Sequence, residues 1–318
     1  MNIVILERGT IGMDVSVDLL KELGDVTIYE NSKVIQVAER VKDADIIIAN
    51  KMPLSRHTLK DASKVKLIAQ FATGYDNVDI NYCRERGIAV CNISDYSTPS
   101  VVQHTFALAL YLGEHLPYYD DYVKNGSWAA QEGFTHFHNT FYDLAGKTWG
   151  VVGMGNIGRK VAAVASAFGC RVIWASTTGS KRDEGYEQLP LEELLSQSDY
   201  VSLHCPLTKA TQHLINADTL KLMKSSAILI NVARGGVVDN KALTEALNDG
   251  VIAAAGLDVV EGEPISINNP LNSIKDSERL IITPHMAWGS LEARRRVVTE
   301  AYENITAFLR GEKRNRII

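Results

Sequence analysis

The chain contains few cysteines and no long hydrophobic run. Its four cysteines, among 318 residues, form no CxxC pair and are too sparse for a disulfide framework, so we expect reduced structural thiols in a cytoplasmic protein and no metal site. No apolar stretch reaches the length of a membrane span, and Glu7 and Arg8 interrupt the apolar N-terminus, which is typical of a buried strand and not of a signal peptide. The net charge of −5 favours neither nucleic acid nor a membrane surface as partner.

Short apolar runs alternate with helical patterns along the chain. Five such runs precede residue 100, with helical patterns between them at Gly12 to Leu23 and Lys33 to Val41. A second series of strands is expected near Val151, Val172, Val201, Ile228 and Ala253. This alternation predicts an α/β protein with two doubly wound parallel-sheet domains. The aromatic-rich segment Gly126 to Asp143 lacks periodicity and is either a long connection or an interface arm.

A glycine fingerprint follows the apolar run that begins at Trp149 and precedes a helical pattern. In this strand–turn–helix setting, the first glycine allows a tight turn, the second lets a pyrophosphate approach the backbone, and the third lets the helix pack on the strand. The helix N-terminus would then face the phosphates. An ordinary βα turn is the alternative. We predict a dinucleotide site formed by Gly153, Gly155, Asn156, Ile157 and Gly158.

Six segments, in this order, resemble the D-isomer-specific 2-hydroxyacid dehydrogenase family: Ala72 to Asp79, the fingerprint, His204 to Thr208, Asn231 to Gly236, Leu257 to Pro264 and Thr283 to His285. The resemblance implies a Rossmann nucleotide domain at residues 101–285, inserted into a flavodoxin-like substrate domain formed by residues 1–100 and 286–318. It also implies an active site between the domains and a homodimer joined through the nucleotide domain. The final helical pattern, roughly Leu291 to Arg310, would cross back onto the first domain.

The same resemblance assigns catalysis to three side chains. Reduction of a 2-oxo acid needs a fixed cation for the carboxylate and carbonyl and a proton donor for the developing alkoxide. Arg234 would bind and polarise the substrate, His285 would donate the proton, and Glu263 would orient His285. Glu261 competes for this last role, but the family's carboxylate directly precedes proline, so Glu261 is expected to be a solvated loop charge.

Other roles also follow from the resemblance. Backbone N–H groups of Thr73 and Gly74 would bind the substrate carboxylate, and Asp258 would contact the nicotinamide carboxamide. His204 and Pro206 would line the adenine pocket. Further expected contacts are Val232 with the cofactor, and Lys51 and Trp288 with the substrate, although an exposed lysine after a strand is more often a solvated charge.

The second strand of the nucleotide domain does not end in the usual acidic residue. Ser176 stands where a carboxylate would bind the adenosine ribose of NAD, and hydroxyls and cations follow it. A carboxylate that would repel the 2′-phosphate of NADP(H) is therefore absent at position 176. This absence favours NADP(H) as the cofactor and leaves NAD(H) possible. The residues predicted to contact the 2′-phosphate are Ser176, Thr177, Lys181 and Arg182. The nearby Glu184 reduces the positive charge of this segment. Alternatively, Lys181 and Arg182 are solvated loop charges.

The sequence around Trp288 and Lys51 looks most like the glycerate dehydrogenase and hydroxypyruvate reductase branch. We therefore expect reduction of hydroxypyruvate or glyoxylate to the D-2-hydroxy acid. The alternatives are a D-lactate-type or bulkier 2-oxo acid reductase, and a nucleotide-sensing corepressor or scaffold without turnover. His136 and His138 have the spacing of a metal pair, but no third ligand motif accompanies them.

Overall fold

The computed structural model describes the backbone of residues 1–318 and every side chain except that of Ser277. The chain divides into two compact units. The terminal unit comprises Met1–Ser97 and Trp288–Ile318, and the central unit comprises Thr98–Ala287. Each unit contains one sheet whose strands all run parallel, as the alternation of apolar runs predicts.

The terminal unit has a five-stranded sheet in the order β2-β1-β3-β4-β5, which is the flavodoxin-like order. Its strands are β1 Asn2–Ile5, β2 Asp25–Ile28, β3 Ile46–Ala49, β4 Leu67–Gln70 and β5 Ala89–Cys91. Its helices are α1 Val34–Val41, α2 Arg56–Leu59, α3 Ile80–Glu85 and, from the second segment of the unit, α11 Leu291–Leu309. The apolar face of α11 lies in one core with β1 and β3, through Ala293, Val297, Ala301 and Ile305.

The helix expected from Gly12 to Leu23 does not form. The structure has a bend after Gly12 and then a 3₁₀ turn at Asp18–Leu23. Gly12 adopts a positive φ of 76°, and the buried Arg8 guanidinium donates to the carbonyl oxygens of Gly12 and Val15. These oxygens are therefore not available for helical hydrogen bonds, and the segment wraps around Arg8 instead.

The central unit has a seven-stranded sheet in the order β12-β11-β10-β9-β6-β7-β8. Its strands are β6 Thr148–Val152, β7 Arg171–Ala175, β8 Glu187–Gln188, β9 Tyr200–Leu203, β10 Ile228–Asn231, β11 Ala254–Leu257 and β12 Leu280–Ile282. Its helices are α4 Thr98–Gly113, α5 Leu116–Lys124, α6 Ser127–Ala130, α7 Asn156–Ala167, α8 Leu191–Gln197, α9 Ala217–Leu220 and α10 Asn240–Asn248. The first strand of this unit, β6, lies inside the sheet; β7 and β8 follow on one side of it, and β9 to β12 follow on the other side. The order reverses between β6 and β9, so a ligand crevice is expected outside the carboxyl ends of these strands.

The segment from Gly126 to Asp143 connects α5 to β6, with only the short α6 as regular structure. A stack of rings links it to α5: the His136 ring lies 3.8 Å from the ring of Tyr122, and its Nε2 is 2.8 Å from the Tyr118 hydroxyl. Several large apolar side chains of the segment remain exposed: Trp128, Phe134, Phe137, Phe141 and Tyr142.

The four thiols are free and buried. Burial raises the pKa of Cys91 to about 12 and those of Cys83 and Cys205 to about 11. Buried protonated thiols of this kind are poor nucleophiles and poor metal ligands. Within the described part of the chain, no helix combines the length and apolar character that crossing a membrane requires.

Candidate active site

The glycine fingerprint forms the turn between β6 and α7. Gly153 has a φ of 95°, and a Cβ there would lie 2.9 Å from the backbone nitrogen of Cys205. A Cβ on Gly158 would lie 2.2 Å from the carbonyl oxygen of Gly153. Neighbouring backbone therefore requires glycine at both positions, as expected for a tight turn and close helix packing.

Gly155 has a different environment. Its φ is −86°, and a Cβ there would meet no protein atom within 4 Å. Neither its conformation nor its protein neighbours require glycine, whereas close approach of a ligand to the backbone would. Gly155 is also the N-cap of α7 and provides no side-chain hydrogen bond, which leaves the N-terminal N–H groups of α7 to bind an anion. Asn156 and Ile157 begin this helix.

His204, directly after β9, lies at the opposite side of the switch point. Both of its ring nitrogens are buried without a hydrogen-bond partner, and burial lowers its pKa to about 3, so the ring is neutral. Buried polar atoms without partners are rare and call for an explanation, which a bound nucleotide would supply. Pro206 is exposed on the following loop, and Val232 is buried just after β10. These residues fit a dinucleotide at the carboxyl edge of the sheet.

A cluster of hydroxyls lies at the end of β7. The Ser176 Oγ is 3.2 Å from the Thr178 Oγ1, which is 2.6 Å from the Ser180 Oγ. Thr177 is half-buried and Lys181 is exposed. The Arg182 guanidinium reaches back to the fingerprint turn, where its Nη2 lies 3.4 Å from the carbonyl oxygen of Met154. The arginine thus adjoins the turn, and the hydroxyls follow β7, the strand paired with β6.

Glu263 and His285 meet at the other half of the same edge. The Nδ1 of His285 lies 2.6 Å from Oε2 of Glu263, and the two side chains are 23% and 34% exposed. The other carboxylate oxygen of Glu263 accepts the backbone N–H of Val260 at 3.2 Å. His285 has a positive φ of 54°, and its backbone nitrogen donates to the carbonyls of Asp258 and Thr283. The loop after β12 therefore holds the imidazole against the loop after β11, as expected for an oriented acid–base pair.

Arg234 follows β10, the strand beside β11. Its side chain is half-buried, and its Nη1 donates to the carbonyl oxygen of Ala233 at 2.8 Å. The completely buried Asn231 holds this turn from both sides: its Oδ1 accepts the N–H of Ala233, and its Nδ2 donates to the carbonyl of Arg234, both at 3.0 Å. Asn231 thereby sets the backbone from which the arginine projects.

Gly235 brings the arginine turn against the loop that carries Glu263. A Cβ at Gly235 would lie 1.9 Å from the carbonyl oxygen of Val260 and 2.5 Å from the nitrogen of Glu261. Because only a hydrogen atom fits there, the two loops pack backbone to backbone. Gly235 and Asn231 have no role assigned from the sequence. The neighbour that requires glycine at position 235 is Val260, 25 residues further along the chain, whereas Asn231 acts within its own turn.

Asp258 is 2% exposed at the end of β11. Its Oδ1 accepts the Thr283 hydroxyl at 2.6 Å and the backbone N–H of Met286 at 2.8 Å, and its Oδ2 accepts the N–H of Ala287 at 2.9 Å. The ring of His104, from α4, contacts the same Thr283 hydroxyl at 2.9 Å. Asp258 therefore fixes the backbone that follows His285, a structural function that the sequence did not predict.

Glu261 is exposed on its loop, as expected for a solvated charge, and its carboxylate lies 3.1 Å from Nε2 of His213. His136 and His138 stack within the ring cluster on α5. Among the side chains that the structure describes, no group of three or more histidine, cysteine, aspartate or glutamate residues is arranged to hold a metal ion.

The expected substrate residues of the terminal unit lie at the carboxyl edge of its own sheet or near its core. Lys51 follows β3 and is exposed, while Thr73 and Gly74 follow β4. The Thr73 hydroxyl donates to the carbonyl of Ile93 at 2.7 Å, and the Trp288 ring packs edge-on against Tyr96 with centroids 6.1 Å apart.

Sequence reasoning missed Glu7, which shapes the turn that carries Lys51. Glu7 is 6% exposed. Its Oε2 accepts the backbone N–H groups of Asn50, Lys51 and Met52 at 2.8 to 3.0 Å. A buried carboxylate thus fixes the backbone of the Lys51 turn.

The strand order and the fingerprint turn define a dinucleotide-binding α/β protein. Residues 106–287 match the model of the D-isomer specific 2-hydroxyacid dehydrogenase, NAD binding domain. The chain belongs to the D-isomer-specific 2-hydroxyacid dehydrogenase family, whose members interconvert 2-oxo and 2-hydroxy acids with a nicotinamide cofactor.

Three known proteins illustrate the likeness. The chain is 36% identical to a hydroxypyruvate reductase of Blautia hydrogenotrophica, over 93% of this chain and 92% of the relative. It is 39% identical to a glyoxylate reductase of Pyrococcus furiosus, over 93% of this chain and 89% of the relative. The crystal structure of a D-lactate dehydrogenase from Aquifex aeolicus, complexed with NAD and lactic acid, matches with a TM-score of 0.86 and 31% identity over 98% of this chain and 96% of that one.

Proposed function

We propose that the protein reduces hydroxypyruvate or glyoxylate to the D-2-hydroxy acid, with NADPH as the preferred hydride donor. The observation that carries this proposal is the Glu263–His285 pair, at 2.6 Å, in which Glu263 lies on a loop that packs against the turn of Arg234. The names of two relatives, a hydroxypyruvate reductase and a glyoxylate reductase, support the choice of substrate.

In this proposal His285 handles the proton. Glu263 accepts a hydrogen bond from Nδ1, which leaves Nε2 to carry the proton that the developing alkoxide takes up. The hydride would come from the nicotinamide of a dinucleotide bound at the fingerprint turn. In the reverse direction the same nitrogen removes the proton from the hydroxyl group. Glu263 keeps the ring in one tautomer and orientation, as a carboxylate does in other acid–base pairs.

Arg234 supplies the positive charge that the substrate needs. Its planar guanidinium can donate to a carboxylate oxygen and to the carbonyl oxygen at once, whereas lysine offers a single point charge. Backbone N–H groups at Thr73 and Gly74, with Lys51, would bind the carboxylate from the terminal unit, and Trp288 would limit the size of the substrate side chain. Glyoxylate and hydroxypyruvate carry small side chains, which suits such a restriction.

NADPH is preferred, in this proposal, because the end of β7 offers hydroxyls and cations to a 2′-phosphate. Ser176, Thr177, Lys181 and Arg182 would form this phosphate site. Pro206, Val232 and the neutral ring of His204 would line the adenine side. Asp258 would contact the nicotinamide carboxamide and would also hold the loop beside it.

We also propose a homodimer formed by the central unit. The connection between α5 and β6 exposes a series of large apolar side chains, and single chains rarely leave such a patch in water. Sedimentation of the purified protein tests this directly. A dimer that Phe134→Ser with Phe137→Ser converts to monomer would support the assignment, and a wild-type monomer would contradict it.

The activity is tested by initial rates of NADPH and NADH oxidation with hydroxypyruvate, glyoxylate, pyruvate and phenylpyruvate. We expect the fastest rates with the first two acids and NADPH, and loss of turnover in His285→Ala. Better rates with phenylpyruvate would favour a reductase for bulkier acids. Nucleotide binding without turnover would favour a sensor or scaffold, and a strong preference for NADH would contradict the cofactor assignment.

A further inference from the structure

Glu184 lies between two arginines beside the fingerprint turn. Arg159, in the first turns of α7, donates from Nε to Oε2 at 2.6 Å and from Nη2 to Oε1 at 2.8 Å. Arg182, after β7, brings its Nη1 only to 3.5 Å from the same Oε1. The glutamate side chain is 10% exposed, whereas those of Arg159 and Arg182 are 45% and 46% exposed.

The two arginines share this carboxylate unequally. A bidentate pair at 2.6 and 2.8 Å is the strongest geometry available to arginine and carboxylate, and a contact at 3.5 Å is weak. The hydrogen bond from Arg159 lowers the pKa of Glu184, so the carboxylate remains charged at neutral pH. The guanidinium contacts of Arg182 with Glu184 and with the Met154 carbonyl are both long. Most of the donor capacity of Arg182 is thus not committed to strong bonds.

We propose that Arg159 is a specificity-determining residue that acts through Glu184: it occupies and neutralises this carboxylate, so that Arg182 can bind the 2′-phosphate of NADPH. The inference rests on the proposed NADP(H) preference and deepens it. Without Arg159, the glutamate would draw Arg182 into a close ion pair and would repel the phosphate. Arg159 is then required for NADPH binding even though Arg182 makes the contact.

The test is a calorimetric measurement of the Kd values for NADPH and NADH, which needs no turnover. For Arg159→Gln we expect NADPH to bind about tenfold more weakly, and NADH to change by less than about twofold, because only NADPH carries the extra charged phosphate. Glu184→Gln should bind NADPH at least as tightly as the wild type. In the double variant, which combines Arg159→Gln with Glu184→Gln, removal of the carboxylate should restore the Kd for NADPH to within about twofold of the wild type.

The double variant separates this mechanism from direct contact. If Arg159 itself bound the phosphate, NADPH binding would stay weak after Glu184 was also replaced, and the inference would be overturned. Unchanged NADPH binding in Arg159→Gln would overturn it as well. Arg171→Gln is the matched control, because it removes another close arginine–glutamate pair, with Glu187 at 2.6 Å, from the opposite end of β7. This control should leave both Kd values unchanged.

Arg182→Gln distinguishes failure of the inference from failure of the proposed cofactor preference. Weak NADPH binding in Arg182→Gln, together with no recovery in the double variant, would leave the phosphate site in place and overturn only the function of Arg159. An Arg182→Gln protein that bound NADPH as the wild type does, or a wild type that bound NADH more tightly, would overturn both.

Discussion

Replacement of Gly235 by alanine should separate the two loops that carry Arg234 and Glu263, two of the proposed catalytic side chains. The new Cβ would lie 1.9 Å from the carbonyl oxygen of Val260, so the loops must move apart by about 1.5 Å to reach ordinary contact distance. This shift would move Arg234 relative to the Glu263–His285 pair. Because a misplacement of about 1 Å can cost about 100-fold in rate, we expect kcat/KM for hydroxypyruvate to fall about 100-fold.

The neighbouring glycine provides the matched control. A Cβ on Gly236 would meet only the end of the Leu207 side chain, at 3.1 Å, and this side chain can move. Gly236→Ala should therefore retain kcat/KM within about threefold. The Kd for NADPH should stay unchanged in both variants, which shows that each is folded. If Gly235→Ala kept wild-type activity, or if both alanine variants lost activity equally, the packing argument would be wrong.

Three further predictions follow from other contacts. Glu263→Gln should lower kcat for reduction by about 100-fold with little change in KM, since it removes the carboxylate that orients His285. A variant whose kcat stayed at the wild-type value while its KM rose would contradict this. Burial raises the pKa of Asp199, but hydrogen bonds from Lys224 and a backbone N–H hold it below its ordinary value of 3.8. This contribution to stability is therefore present above pH 3.8 and is lost as the pH falls through the folded pKa. Asp199→Asn should lower the free energy of unfolding in urea by about 1 kcal/mol at pH 7, a difference that narrows towards pH 3; a gap independent of pH would refute the assignment. Because burial raises the pKa of Cys91 to about 12 and also raises those of the other thiols, native protein at pH 8 should react with Ellman's reagent only after unfolding, and rapid labelling would show that a thiol is accessible.

The sheets were predictable because their signal is local. Runs such as Ile46–Ala49 and Leu67–Gln70 are fully buried strands. A strand that is buried on both faces is typically a continuous apolar run between turns, and such a run can be recognised in the sequence. The prediction failed for Gly12 to Leu23, where apolar spacing indicated a helix. The carbonyl groups there bind Arg8, an interaction that helical periodicity does not register.

The roles of the residues that support the site, Gly235, Asn231 and Glu7, could not be predicted from the sequence for a related reason. Gly235 must be glycine because of Val260, Asn231 is buried against its own turn, and Glu7 binds backbone more than 40 residues away. For Gly235 and Glu7 the requirement arises from a tertiary contact that leaves no local pattern, whereas Asn231 acts within its own turn. The functions of Arg234 and His285 remain predictions, which Gly235→Ala tests through the position of the arginine and His285→Ala tests directly.

The division of the chain has a consequence for biosynthesis. The central unit is one continuous segment, so it can fold as soon as Ala287 has left the ribosome. The terminal unit cannot, because α11, which is made after the central unit, contributes Ala293, Val297 and Ala301 to its core. Until then the strands from the first segment expose apolar surface to the cell. We therefore expect the nascent terminal unit to bind chaperones until α11 has been made.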